Sequence, residues 1–159
     1  MLWLLLLLIL FIFTFWFNLI SFNFNWLFIN PRFSLETSNI QEQKNSNNKV
    51  SNKEYERAIK YLNLAGYKQG EYTTYLLIGI PEQNIENIKE SIKYVHSLGS
   101  KISLSEYSPI PYTKDWQKLP SELKQDPLTQ NNTYFITLNK DYDKLIKLKE
   151  FAKELNKKL

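Results

Sequence analysis

The 159 residues contain no cysteine, one histidine and only four glycines. The missing thiols exclude, for this chain, thiolate zinc sites, cysteine nucleophiles, disulfide scaffolds and cysteine-ligated iron–sulfur clusters. A single imidazole, His96, is too few for a histidine-rich metal centre. No Walker loop, G-x-G-x-x-G or G-x-S-x-G string is present. Charge of one sign is also scarce: the net value is +4, too small an excess to argue for nucleic acid, and no basic–aromatic module accompanies it. From Met1 to Pro31 there is no charged side chain at all, while eight of the ten Phe and three of the four Trp lie at or before Phe33. The chain therefore divides into a hydrophobic leader, 1–31, and a body, 32–159, that carries every charge.

LWLLLLLILFIF at 2–13 is uninterrupted apolar, and FWF and LI extend the run beyond Thr14 and Asn18. About 20 apolar residues at about 1.5 Å each span a hydrocarbon core of about 30 Å, so the leader reads as a possible transmembrane helix. A secretory signal would carry basic residues before the run and small residues after it, and neither is found. A third reading, a degenerate Phe- and Asn-laden flank, stays open. If the leader spans, Arg32, Lys44, Lys49 and Lys53 on its C-terminal side put the body in the cytoplasm; otherwise the whole chain reads as cytoplasmic.

In the body, FSLET at 33–37 alternates like a short strand. The polar run from Ile40 to Val50 reads as a loop. Ser51 and Glu54 make a capping box ahead of Tyr55, Ala58, Ile59, Leu62 and Ala65, with Gly66 as the stop, which predicts a helix over 51–65. A buried strand follows over 72–81. Asn84 then caps a helix with Ile85, Ile88, Ile92, Val95 and Leu98 on its apolar stripe. ISLSEY at 102–107 reads as a strand, 114–139 as mostly loop with a helical piece near 121–125, and 141–157 as a helix burying Leu145, Leu148, Ala152 and Leu155. Strand, helix, strand, helix, strand implies right-handed crossovers and a parallel sheet. His96, beside a helix C-terminus, suits a capping or surface role, and the lysines of the last helix alternate with acids as a solvated face does.

Chemistry in parallel α/β folds gathers where the strands end, since loops and helix N-termini converge there. Those ends are Glu36-Thr37-Ser38-Asn39, Gly79-Ile80-Pro81-Glu82-Gln83 and Ser108-Pro109-Ile110-Pro111. Ordinary turns after strands would explain them too.

Five ordered blocks, RFSLETSN at 32–39, NKVSNKEYERAIKYLNLAGY at 48–67, YLLIGIPEQ at 75–83, SLG at 97–99 and YSPIPYTKDW at 107–116, with DPLTQNN at 126–132, resemble the radical S-adenosylmethionine (radical SAM) enzymes. The likeness is to the C-terminal half of the core domain in the group often joined to a cobalamin-binding domain. It implies an incomplete (βα) barrel, the last three strand–helix units of a partial TIM barrel. It further implies that Glu36 hydrogen-bonds a ribose hydroxyl or the methionine amine of S-adenosylmethionine. Leu77 and Gly79 would lie against adenine, and Ser108, Pro109 and Ile110 would flank it through backbone groups.

The departures from that family are specific. CxxxCxxC, which ligates the four-iron, four-sulfur cluster in intact members, is absent, so the chain offers no metal ligands and no catalytic residue for the family's chemistry. Glu82 and Tyr112 stand where relatives carry glycine; if either takes a positive φ, the strain is roughly 1–2 kcal/mol. One expectation is therefore a truncated or split radical SAM domain that keeps part of the cofactor cradle. Its partner would be an N-terminal half-barrel chain, or a second copy met through an open sheet edge. The alternative is a non-catalytic, membrane-tethered α/β module that binds a partner chain.

Overall fold

The computed structural model describes residues 30–45, 49–80, 83–117, 119, 121, 124 and 136–159. The apolar run of the leader, Pro81, Glu82, DPLTQNN and most of the 121–125 piece lie outside the described residues. Among the described residues no helix is long and apolar enough to cross a membrane.

Arg32–Leu159 makes one α/β unit. Strands β1 (Arg32–Glu36), β2 (Thr73–Ile78) and β3 (Lys101–Glu106) form an open parallel sheet in the order β1-β2-β3, and no barrel closes. Helices α1 (Ile40–Asn45) and α2 (Asn52–Leu64) join β1 to β2, and α3 (Ile85–Ser97) joins β2 to β3. After β3 come α4 (Lys114–Gln117), a 3-10 turn (Ile136–Leu138) and α5 (Tyr142–Asn156).

Local chemistry explains most boundaries. Ser51 accepts from the Glu54 amide while the Glu54 carboxylate accepts from the Ser51 amide, the reciprocal capping box that starts α2. Asn84 accepts from the Glu86 amide to start α3. β2 stops at Ile78, short of the 72–81 read from the sequence. Gly79 takes a φ of +84°, and the Gln83 amide donates to Leu77 O and accepts from the Gly79 amide, ending the extended run.

Two departures concern 40–50 and 114–139. The first, read as a loop, contains α1: Asn39 Oδ1 accepts from the Gln41 and Glu42 amides, and the inward positions of the helix are polar, so no apolar period betrays it. The second contains α4 and the 3-10 turn, whose Ile136 is a core residue. Leu155, expected in the core, is half-buried at its margin.

The helices cover one face of the sheet. Leu35, Leu76, Ile78 and Ile102 meet Tyr55, Ile59, Ile88, Ile92, Val95, Leu145 and Leu148 there. Inside this core Tyr55 Oη, Thr74 Oγ1 and Ser100 Oγ form a buried chain with links of 2.7 and 2.8 Å, which satisfies three hydroxyls that burial would otherwise penalise. Burial raises the Tyr55 phenol above its ordinary pKa, so it stays protonated and able to donate. On the opposite face, register aligns Arg32, Thr73 and Lys101 in one row and Ser34, Tyr75 and Ser103 in the next. This face is polar, and Arg32 donates to Tyr75 Oη at 2.7 Å across it.

The two outer edges differ. At β3, Asn156 Oδ1 accepts from the Ile102 amide and Asn156 Nδ2 donates to Ile102 O, both at 2.8 Å, so one side chain supplies the two-point contact of a neighbouring strand. At β1 no strand pairs with the outer edge among the described residues.

Candidate functional site

The carboxyl ends of β1, β2 and β3 lie side by side, as parallel pairing requires, with Glu36 opposite Leu76, Leu77 opposite Ser105, and the Tyr107 amide bonded to Ile78 O at 2.8 Å. The predicted residues Glu36, Leu77, Gly79, Ser108, Pro109 and Ile110 are therefore gathered at one end of the sheet. They are not equally accessible: Leu77 and Ser108 are half-buried, Pro109 and Gly79 are buried, and Ile110 is 69% exposed.

Glu36 occupies an unusual backbone position. Its φ is +66°, the Thr37 amide donates back to Leu35 O at 2.8 Å, and the register with β2 shifts between Ser34 and Glu36. An i-to-i+2 bond around a positive φ is a γ-turn of the rare kind, costing a residue with a Cβ roughly 1–2 kcal/mol. The turn lifts Glu36 off the strand, leaving its side chain 24% exposed with Lys49 Nζ 3.0 Å from Oε1.

A polar network behind Glu36 holds this turn. Thr37 Oγ1 donates to Glu42 Oε2 at 2.6 Å, and Asn87 Nδ2 donates to Glu42 Oε1 at 2.7 Å. Gln43 Nε2 donates to Thr37 O and to Asn52 Oδ1, and Asn52 Nδ2 donates to Ser38 O. Ser91, buried on α3, accepts from the Ser38 amide and donates to Asn87 O. Residues from α1, α2 and α3 thus converge on the two residues after Glu36. Sequence reasoning missed Gln43, Asn52 and Ser91, because hydrogen bonds between polar positions leave no periodic trace.

Gly79 behaves differently from the expectation. A Cβ there would lie 3.3 Å from Ile136 Cγ1 and 3.5 Å from Ile136 Cδ1, so the space beside this glycine is filled by the 3-10 turn. Its positive φ and the packing of Ile136 account for it without a ligand. Tyr112 has the second positive φ among described non-glycine residues, +70°. The Thr113 amide donates to Ile110 O at 3.2 Å, so Ile110-Pro111-Tyr112-Thr113 is a β-turn with proline second and a positive φ third, where glycine is favoured. The Tyr112 ring is 84% exposed and lies 5.4 Å from the Trp116 ring, over which Lys124 Nζ sits at 5.1 Å. The expected strain at Tyr112 is thus present, while Glu82 lies outside the described residues.

His96 bridges helices. Its Nε2 lies 3.1 Å from Leu155 O, so Nε2–H donates to a carbonyl in the last turn of α5. Glu106, at the end of β3, is paired with Lys149 of α5.

As a fit for a sulfonium nucleoside, the rim offers one carboxylate with partial solvent access, the apolar Leu77 and Ile110, and loop backbone at Ser108. Gly79 offers no open slot. The other acid of the rim, Glu42, already accepts from two neutral donors and is committed to structure. Neither protein-family models nor curated proteins match this chain.

Proposed function

We propose that residues 32–159 are the last three strand–helix units of a radical SAM-type partial barrel and keep part of the S-adenosylmethionine cradle. The observation that carries this reading is the coincidence of strain with the positions singled out by the resemblance: the two non-glycine residues with positive φ among those described are Glu36, at the end of β1, and Tyr112, in the turn that follows β3. Strained backbone persists where the surroundings over-determine it, and such places cluster at binding sites. The network through Gln43, Asn52 and Ser91 supplies that over-determination at Glu36.

In this reading Glu36 accepts hydrogen bonds from ribose hydroxyls or from the methionine ammonium. Leu77 and Ile110 pack on adenine, with the backbone of Ser108 and Pro109 beside it. Bound there, S-adenosylmethionine supplies a sulfonium-activated carbon. With no cysteine in the chain, no residue supplies thiolate to the family's cluster, and no redox step is assigned to it. Calorimetry tests the proposal: titrating S-adenosylmethionine gives saturable heat that falls at least about tenfold in affinity in Glu36→Ala, whereas identical heats for both proteins refute the role of Glu36.

A second reading has its own observation. Among the described residues no strand pairs with the outer edge of β1 while Asn156 closes the β3 edge, which favours a module that offers β1 to a partner chain. The leader would tether such a module to a membrane with the body in the cytoplasm. Carbonate extraction of expressing cells tests the tether: retention in the pellet supports it, and release into the soluble fraction rules it out.

A further inference from the structure

We infer that the outer stripe of α2 rests on an anionic membrane surface, the headgroup layer of a lipid bilayer being the occupant of this helix face. The inference relies on the reading of the leader as a tether to bring the body to a bilayer, and adds the face that meets it.

Helical geometry assembles the stripe. At about 3.6 residues per turn, Lys53, Arg57, Lys60 and Leu64 fall within about 60° of one another around α2, and Tyr61 adjoins them. Tyr55 and Ile59 occupy the opposite side and are buried. All five stripe residues are exposed, Tyr61 at 63% and Leu64 at 73%.

The other long helices are finished differently. On α3 Lys89 and Lys93 pair with Glu86 and Glu90, and at α5 Lys144 and Lys157 pair with Asp141 and Glu154. Lys53, Arg57 and Lys60 have no such ion pair among the described residues. The two acids of α2 are engaged beside the stripe. Glu54 is held in the capping box, with Arg57 a lesser electrostatic neighbour, and Glu56 accepts from Tyr94 Oη at 2.8 Å. Of the large hydrophobics exposed among the described residues, Tyr61 and Leu64 lie on α2, and none lies on α3 or α5.

That combination selects the occupant. Cations on a helix face are drawn to anionic headgroups, and a tyrosine and a leucine beside them gain by entering the interfacial layer. A nucleic acid would meet the cations and leave Leu64 in water. The uncharged hydrophobic leader of the same chain supplies the reason for a bilayer to be near.

The cysteine-free chain accepts one label at a chosen site. Full-length Leu64→Cys, carrying an environment-sensitive fluorophore, is added from detergent to vesicles of phosphatidylcholine alone or mixed with phosphatidylserine. Its emission is expected to shift to the blue only with phosphatidylserine and to return at high salt. Lys147→Cys, exposed on α5, is expected to give no shift in either lipid. Each cation at an anionic leaflet changes the docked population roughly fivefold, so adding Arg57→Glu and Lys60→Glu should abolish the shift while the circular dichroism spectrum stays unchanged. No shift at position 64 in either lipid overturns the inference and leaves the stripe to an acidic protein partner. An equal shift in both lipids overturns the electrostatic docking, and an equal shift at positions 64 and 147 overturns the choice of face. Carbonate extraction is read separately: release of the chain refutes the tether whatever the label shows, and retention without a shift at position 64 refutes the docking alone.

Discussion

At β3 the amide of Asn156 fills the hydrogen-bonding positions of Ile102, and Lys149 of α5 neutralises Glu106 at the strand's end, so the last helix seals that side of the sheet. At β1 the outer backbone meets no strand among the described residues, and the strand ends in a strained turn backed by a dense polar network. Among the described residues one outer strand has its hydrogen-bonding positions filled by a side chain and the other has none filled by a strand. The difference teaches that the two sides of one sheet are finished by different means, and that the described backbone strain lies in the turns after β1 and β3 rather than in the covered core.

The sharpest way to break that contrast is to unplug β3. Asn156→Ala leaves the Ile102 amide and carbonyl without their partner and is expected to lower unfolding stability by about 1–3 kcal/mol in denaturant titration. It should also leave the β3 edge unpaired, seen as concentration-dependent association that the wild type shows less of. An unchanged midpoint would mean that Asn156 merely decorates the edge.

A smaller effect of opposite sign is expected from Tyr112→Gly. Relief of the positive φ should stabilise the chain by about 1 kcal/mol, partly offset by loss of the Tyr112–Trp116 contact. A net loss of stability would show that the aromatic contact outweighs the backbone strain.

Lys49→Ala should matter less again, below about 1 kcal/mol, since the Lys49 side chain is 75% exposed and a solvated ion pair contributes little. A larger loss in the unfolding midpoint would make Lys49 part of the support for the Glu36 turn.

The gentlest test lies away from both edges, in the capping box. Hydrogen bonds from Ser51 hold the Glu54 carboxyl below its ordinary value of 4.5, so the contribution of this pair is complete above about that pH and fades as pH falls through the lower folded-state value. The stability gap between wild type and Ser51→Ala should therefore narrow on acidification; a constant gap would locate the capping effect in the Ser51 hydroxyl alone.

Legibility followed the type of force. Apolar periodicity announced α2, α3 and α5, and caps at Ser51 and Asn84 set the starts of α2 and α3. Short alternating runs placed β1 and β3 and a short apolar run placed β2, each within a few residues, and their order implied the parallel sheet. What stayed illegible is held by polar contacts: α1 packs through Gln43 and Glu42, and the β3 edge is closed by one asparagine 54 residues away. At the rim, the resemblance to the radical SAM enzymes pointed to Glu36 and to a glycine-like position at Tyr112. The positive φ at Glu36 had no sequence signal, because glutamate is not a residue that advertises a left-handed turn. Gly79 shows the converse, a glycine whose visible use is to admit Ile136.

The central claim is that Glu36 is kept in a strained turn because its carboxylate serves a ligand. Unfolding midpoints of wild type and Glu36→Gly, each with and without S-adenosylmethionine, test it in one comparison. The account predicts that the glycine variant is the more stable protein alone, and that the ligand raises only the wild-type midpoint. Equal ligand-induced shifts in both proteins, or a glycine variant less stable than the wild type, would contradict it.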